Sequence, residues 1–335
     1  MALLSVRDLV VEFGGRSESV RALDGVSFDI AAGETLALLG ESGSGKSVTA
    51  QAVMGLLPRP AGRVLSGAVE FDGSDLTSRS AAAMRTVRGS QIAMIFQDPL
   101  TSLNPVHTVG RQIGEPLRVH RGLRRNAAHR EAVELMRRVG IPDAATRADD
   151  YPHQFSGGMR QRIMTAMAIA LRPRLVIADE PTTALDVTVQ AQILRLLSDL
   201  QREEGMALIL ISHDLGVVAS YAQRVAVMYA GRIVETGPIR TVYDHPAHPY
   251  TRGLLQSIPD SEAPEERLTP IPGSPPMLAR LPSGCPFHPR CSWRTDECTT
   301  ARPALLSITD EALSAEAAAT HAAACHHSSE VMSVV

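Results

Sequence analysis

Gly40-Glu41-Ser42-Gly43-Ser44-Gly45-Lys46-Ser47 decides how this chain is read. It follows Glu34-Thr35-Leu36-Ala37-Leu38-Leu39, a short apolar run with strand character. After it comes Val48-Thr49-Ala50-Gln51-Ala52-Val53-Met54-Gly55-Leu56-Leu57, whose apolar residues recur at helical spacing. A strand, a glycine-rich turn and a helix opening at Lys46-Ser47 make a phosphate cradle. The glycines let the backbone curl tightly, so that successive N–H groups point inward at phosphate oxygens. The helix N-terminus adds unsatisfied donors and partial positive charge. In this reading Lys46 reaches the β- and γ-phosphates of a nucleotide and the Ser47 hydroxyl ligates Mg²⁺, with Val48 next in the nucleotide-binding run. A glycine-rich linker would have neither the Lys-Ser ending nor the strand before it.

The totals bound the rest. A chain of 335 residues holds one large or two modest domains. Hydrophobic residues at 44% and charged residues at 21% are ordinary for a protein with a full core. A net charge of −3 gives no basic footprint for nucleic acid. The opening Met1-Ala2-Leu3-Leu4-Ser5-Val6-Arg7-Asp8 has no signal-peptide pattern, and no apolar run approaches the ~20 residues of a membrane helix. The expectation is a cytosolic chain whose membrane contact runs through partners. All four cysteines lie beyond residue 284 and are expected to be reduced there.

Along the chain, residues 1–30 alternate with period two, which predicts two or three half-buried antiparallel strands. Phe13 in this stretch is open to two readings, ordinary core or a ring that stacks on adenine. Residues 58–90 read as a turn and an edge hairpin, and Ile92–Phe96 as a buried strand ending at Gln97. Gln97 is a solvated strand end or, beside a phosphate loop, a group that reaches the metal or the water near the γ-phosphate. Residues 100–172 read as helical, with Phe155-Ser156-Gly157-Gly158-Met159-Arg160-Gln161-Arg162 opening a helix to Ala170. Ser156, Gly157 and Gly158 would make a second anion-binding terminus. A plain N-cap would account for Ser156 but not for the two glycines. Leu175–Ala178 is a wholly apolar strand that delivers Asp179 and Glu180 at its carboxyl end, where a parallel α/β sheet places its ligand. Asp179 suits an outer Mg²⁺ ligand, and Glu180 suits orienting and deprotonating an attacking water. A further helix is predicted from Asp186 through Leu200, and Ala207–Ile211 is another buried strand, with His213 just after it. At that edge His213 would hydrogen-bond the γ-phosphate or hold the water. Val225–Glu235 reads as a closing hairpin.

These pieces together resemble an ATP-binding-cassette ATPase over roughly residues 3–240. The phosphate loop, Gln97, the 155–162 signature, Asp179-Glu180, Ala184-Leu185-Asp186 and His213 stand in the family's order. Phe96-Gln97-Asp98-Pro99-Leu100-Thr101-Ser102-Leu103-Asn104-Pro105, His248–Leu255 and Gly284–Cys291 resemble the dipeptide, oligopeptide and nickel importers. Phe155 and Met159 depart from the family-wide Leu and Gln, although Met159 is usual in this branch. The resemblance implies an α/β P-loop core with an antiparallel β subdomain and a helical subdomain at about 100–172. It places the nucleotide-binding domain at 1–240 and a loop-rich extension at 241–335. It also implies a sandwich of two ATPase subunits, identical or sister chains, with each ATP lying between one phosphate loop and the other chain's Ser156-Gly157-Gly158. Gln97 and Ser47 would complete the Mg²⁺ shell with Asp179 behind them, Glu180 would be the general base, and Asp186 would tie the two sites together. Two transmembrane permease subunits and, through them, an extracytoplasmic substrate-binding protein are the implied partners. The protein would sit on the cytoplasmic face of the plasma membrane.

Ten of the 22 prolines fall between Pro259 and Pro303, in the segment that also carries Cys285, Cys291, Cys298 and Cys325. Spacings of five, six and 26 intervening residues match neither the usual zinc pairs nor common ferredoxin patterns. A bound metal centre would nonetheless fold such a segment. The resemblance implies a [4Fe–4S] cluster on the four thiols, with zinc as the alternative and His288, His326 and His327 as rival ligands. The alanine-rich stretch 312–324 reads as a helix or an irregular lead-in to Cys325.

Overall fold

In the computed structural model, which describes residues 2–14, 19–183, 185–257, 270–308 and 320–333, the alternating N-terminal segment forms two long strands, Ala2–Gly14 and Ser19–Ala31. Leu9 and Val11 alternate inward as expected, but Leu3 to Val6 are buried without a break, so this end of the strand is covered on both faces. The strand pairs antiparallel with Gly62–Phe71, with Leu4 opposite Phe71 and Phe13 opposite Gly62. Asp72 and Gly73, both at positive φ, then turn the chain into Ser74–Asp75. Two successive residues at positive φ are the tight hairpin turn whose twist matches that of the strands. The sheet order is Ser19–Ala31, Ala2–Gly14, Gly62–Phe71, Ser74–Asp75.

The chain divides into two compact units. One comprises residues 31–34 and 78–211. Its centre is three parallel strands, Ile92–Ile95, Leu175–Asp179 and Ala207–Ile211, in register with Ile95 opposite Ala178 and Asp179 opposite Ile211. Leu175–Asp179 and Ala207–Ile211 are buried at every position, as parallel strands covered on both faces must be. The helical stretch resolves into Pro99–Ser102, Val109–Arg121, Arg125–Arg138, Ala144–Arg147, a 3-10 turn at Pro152–Gln154, and Gly157–Ile169. Val109, Ile113 and Leu117 recur every fourth residue and bury one face of their helix. The helix expected to stop at Leu200 continues to Glu204 and ends at Gly205 in the left-handed conformation. Arg138 bonds Glu203 at 2.8 Å and also Glu204, which holds that extra turn against the helical group.

The other unit comprises residues 2–30, 35–77 and 212–335. Beside the antiparallel sheet it holds Thr35–Leu39, paired parallel with Arg224–Tyr229, which turns back into Arg232–Pro238. The hairpin does not close the sheet. Ala322–Ala323 adds to it opposite Glu235 and Thr236, and Leu306–Ser307 adds in turn. Part of the alanine-rich stretch is therefore strand, because pairing to a sheet edge overrides a weak helical propensity; residues 312–319 of it lie outside the described residues. Glu235 anchors this junction. Fully buried, its carboxylate accepts from the Ala247 and His248 N–H groups at 2.7 and 3.0 Å and lies 2.8 Å from His321 Nε2. Ala247, Ile308, Ala323 and Met332 make a small apolar core beneath it. Among the described residues no helix is long and apolar enough to cross a membrane.

Candidate functional site

The phosphate loop leaves the Thr35–Leu39 strand at Gly40, whose φ is 142°. A Cβ there would stand 2.1 Å from the Met228 carbonyl oxygen, so only glycine lets the loop pass the neighbouring strand. Lys46 opens the helix Lys46–Val53 and is only 4% exposed. Its ammonium donates to the Gly40 and Glu41 carbonyls at 2.7 and 3.1 Å, so the loop is wrapped around a fixed positive charge. Ser44 Oγ is buried within the loop without a hydrogen-bond partner among the described residues, a polar atom of the kind an anion would satisfy. Ser47 and Val48 are partly buried in the first turn. Phe13, half-buried, lies across Gly62, where an added Cβ would come within 2.8 Å of the ring. The ring thus packs on the hairpin and keeps one part in solvent.

The loop has neighbours that local sequence gave no reason to expect. Arg290 Nη1 and Nη2 donate to Glu41 Oε2 and Oε1 at 2.6 and 2.9 Å, and the Tyr250 hydroxyl accepts from the Glu41 N–H at 2.7 Å. The Glu41 carboxylate raises the Arg290 pKa further above its ordinary value. The only sequence signal was that Arg290 stands inside the quoted Gly284–Cys291 motif.

In the other unit the three parallel strands bring Gln97, Asp179 and Glu180 to one edge. Asp179 is buried, and Gln97 is exposed just beyond its strand. Glu180 sits at φ 45°, a left-handed conformation that costs a non-glycine residue about 1 kcal/mol or more. Its Oε2 accepts from Gln97 Nε2 at 3.0 Å and Thr183 Oγ1 at 2.9 Å, while its N–H donates to the Ile211 carbonyl at 3.1 Å. Two side chains thus aim the carboxylate, and the bond to Ile211 holds the backbone in its strained conformation. Sequence reading found Gln97 and Glu180 but passed over Thr183.

Ser156 caps the helix Gly157–Ile169, accepting from Met159 N–H at 3.4 Å. The cap reading extends further than expected. A Cβ on Gly158 would stand 2.6 Å from Val189 Cγ1, so close packing on the next helix requires that glycine. At Gly157 the same construction meets only Leu185 Cδ2 at 3.5 Å, an ordinary contact, and packing gives no reason for glycine there. Asp186 caps the helix Val187–Glu204 by accepting from the Val189 N–H at 2.9 Å. Both helix starts therefore interlock at Val189. Ala184, in the loop before Asp186, lies outside the described residues. His213 is exposed, two residues beyond Ile211.

Cys285, Cys291, Cys298 and Cys325, spread over 41 residues of sequence, line one small cavity. All four are free thiols. Burial, with the neighbouring cysteines adding to it, raises the Cys285 thiol pKa and pushes Cys291 to about 11 and Cys325 to about 12. The Trp293 and His327 N–H groups donate to the sulfurs of Cys291 and Cys325, each at 3.3 Å. Of the rival histidines, His326 meets the Ala301 carbonyl at 3.1 Å and Glu297 at 3.3 Å, and His327 meets Glu330 at 2.8 Å and Thr295 at 3.1 Å, each through both ring nitrogens. His288 instead bonds the Cys285 carbonyl through Nδ1 at 2.9 Å, the arrangement a ligating histidine also adopts. Among the described residues no three His, Cys, Asp or Glu side chains converge as one metal ion would require. The metal-binding extension expected from the sequence is thus a thiol-lined cavity without an assembled single-ion site.

The chain is similar to known proteins. The family described as ABC transporter matches residues 23–183, and the one described as oligopeptide/dipeptide transporter, C-terminal region, matches residues 234–298. The chain is 51% identical over 310 residues to the dipeptide transport ATP-binding protein DppD of Escherichia coli (strain K12), covering 92% of this chain and 94% of that one. It is 53% identical over 317 residues to a putative peptide import ATP-binding protein of Brucella melitensis, covering 91% and 94%. Among solved structures it resembles a dimeric ATP-binding cassette in a post-hydrolysis state bound to ADP and Pi, with a TM-score of 0.64 at 26% identity, covering 71% of this chain and 99% of that one. It also resembles cbiO1 from Clostridium perfringens, part of an ABC transporter complex, with a TM-score of 0.62 at 29% identity, covering 72% and 90%.

Proposed function

This chain belongs to the family of ABC transporter ATP-binding subunits, and from that premise we propose that it hydrolyses ATP to drive a peptide importer. The observation that carries the peptide assignment is the match of residues 234–298 to the oligopeptide/dipeptide transporter C-terminal region, on a chain whose phosphate loop is intact. The named relatives point the same way, being dipeptide and peptide import ATP-binding proteins.

The proposed roles follow from each residue's chemistry. Lys46, fixed at the centre of its loop, neutralises charge on the β- and γ-phosphates, and the loop Gly40–Val48 cradles them through N–H groups other than that of Glu41, which bonds Tyr250. Phe13 offers its exposed part to the adenine ring. Ser47, Gln97 and Asp179 carry hard oxygen donors, a donor set that would suit Mg²⁺. The metal, when bound, neutralises phosphate charge. Glu180 takes the proton of the attacking water, and its two side-chain donors, Gln97 and Thr183, fix where it points. His213 bonds the γ-phosphate. Ser156, Gly157 and Gly158 serve the nucleotide of a second ATPase subunit, and Asp186 links the two sites. Two permease subunits receive the motion, and the protein acts as a peripheral component at the cytoplasmic face.

We propose further that the four cysteines hold a [4Fe–4S] cluster. Four thiols share one cavity, two of them accept backbone N–H bonds, and His326 and His327 are engaged at both ring nitrogens. Cys285, Cys291, Cys298 and Cys325 would be its four thiolate ligands, and the cluster would supply a redox-active or structural centre there. Iron and sulfide near four per chain in anaerobically purified protein are the expected result; zinc, or no metal, overturns the cluster.

The functional test is reconstitution with the permease subunits in liposomes. ATP-dependent uptake of a labelled dipeptide is expected. Uptake of nickel and not of peptide overturns the peptide assignment and leaves the ATPase standing.

A further inference from the structure

Glu41 is an odd residue for a loop that receives a polyanion. Its carboxylate follows directly on Gly40, whose carbonyl helps hold Lys46, so an uncompensated charge there would repel the phosphates the loop collects. The compensation comes from 249 residues away. Arg290 is 7% exposed and meets the carboxylate with two parallel bonds, the fork geometry that suits guanidinium to carboxylate. Two further donors are placed: Nε donates to the Pro272 carbonyl at 2.8 Å, and Nη1 lies 3.4 Å from the Tyr229 hydroxyl. The backbone beneath it is a 3-10 turn, His288–Arg290, held between Cys285 and Cys291. Phe287 in that segment packs edge-on against Tyr229 and tilted against Tyr250, the same Tyr250 that accepts from the Glu41 N–H.

We propose that Arg290 is a positioning residue for ATP binding: by neutralising and holding Glu41 it makes an acidic phosphate loop receptive to nucleotide, so that the C-terminal extension sets nucleotide affinity. The proposal rests on the ATPase reading above and needs no metal in the cysteine cavity. Its consequence is directional. Arg290 stands next to Cys291, so whatever reshapes the thiol-lined cavity also moves the counter-charge of the phosphate loop.

The test uses the full chain, a fluorescent trinitrophenyl derivative of ATP as the binding probe, and steady-state ATPase kinetics. Arg290→Gln exposes the Glu41 carboxylate and is expected to weaken probe binding and raise KM for ATP about tenfold, with kcat within about twofold of the parent. Arg290→Lys keeps the charge but not the fork, and recovers part of the loss. Adding Glu41→Gln to Arg290→Gln removes the stranded charge and recovers most of the affinity. A double variant as weak as Arg290→Gln alone overturns the proposal, because a purely structural arginine would not be rescued by changing Glu41. Unchanged affinity in Arg290→Gln overturns it as well. If Arg290→Gln alone does not fold, the double variant decides, since tenfold weaker binding there contradicts the charge argument. Failure of the parent chain to bind the probe sinks the ATPase reading instead, which separates the two outcomes.

Discussion

At the residue scale, Glu180 is the base of the proposed mechanism. It is one of few non-glycine residues at positive φ, and it is held there by bonds from Gln97 and Thr183 and by its own N–H on Ile211. Strain at a functional residue persists only where the surroundings over-determine it. Replacing Glu180 by Gln keeps the shape and removes the basicity. Nucleotide binding is expected within about threefold of the parent, while phosphate release falls by about a hundredfold or more, the usual worth of a positioned base. Turnover near the parent level in a phosphate-release assay would remove Glu180 from the mechanism. Ser156 shows the opposite case. Its hydroxyl has a complete local role as a helix cap, worth about 1 kcal/mol, so loss of activity at Ser156 alone would not separate a nucleotide contact from helix fraying.

At the scale of elements, the starts of two helices meet at Val189. Asp186 receives the Val189 N–H, and Gly158 leaves room for its Cγ1. Valine is stiff at χ1, so an added methyl at residue 158 cannot be accommodated by a small rotation. Gly158→Ala is expected to cost about 1 kcal/mol net, overpacking outweighing the gain in helix propensity. Val189→Ala in the same chain should recover most of that loss, because it empties the contested space. Additive destabilisation of the two changes in thermal unfolding would show that the glycine is there for another reason.

For the molecule as a whole, Asp24 is the point where distant segments are tied. It sits in the strand Ser19–Ala31 and accepts from Arg232 Nε and Nη2 at 2.8 and 2.6 Å, from Arg302 at 2.9 Å and from Arg21 at 2.9 Å. Strand, hairpin and C-terminal extension thus share one carboxylate. Burial pushes its pKa up, but the bonds from Arg232 and Arg21 outweigh that and hold it below the ordinary value of 3.8. A depressed folded pKa means that the stabilisation is fully present above the unfolded pKa and disappears as pH falls through the folded one. Asp24→Asn should therefore cost about 2 kcal/mol at pH 7, the scale of hydrogen bonds to a charged group. The gap between parent and variant in denaturant unfolding should close as pH drops below 3.8. A gap that stays constant with pH would mean that packing, not charge, makes the contribution.

The sequence by itself determined the phosphate loop, the apolar strands and the acids at their ends. These depend on short-range order: a glycine's freedom, the spacing of apolar residues and the residue at a strand's carboxyl end are all set within about ten positions. Gln97 and Glu180 were legible for that reason, and their hydrogen bond follows from two parallel strands in register. The remainder needed the tertiary structure. Four cysteines with no recognisable spacing meet in one cavity, two alanines of a stretch read as a helix or an irregular lead-in become a strand opposite Glu235, Val189 explains Gly158, and Arg290 finds Glu41. Each of these is a contact between segments far apart in the chain. Local spacing carries no information about such contacts, because which surfaces meet is decided by the packing of the whole core against the entropy of closing the loops between them.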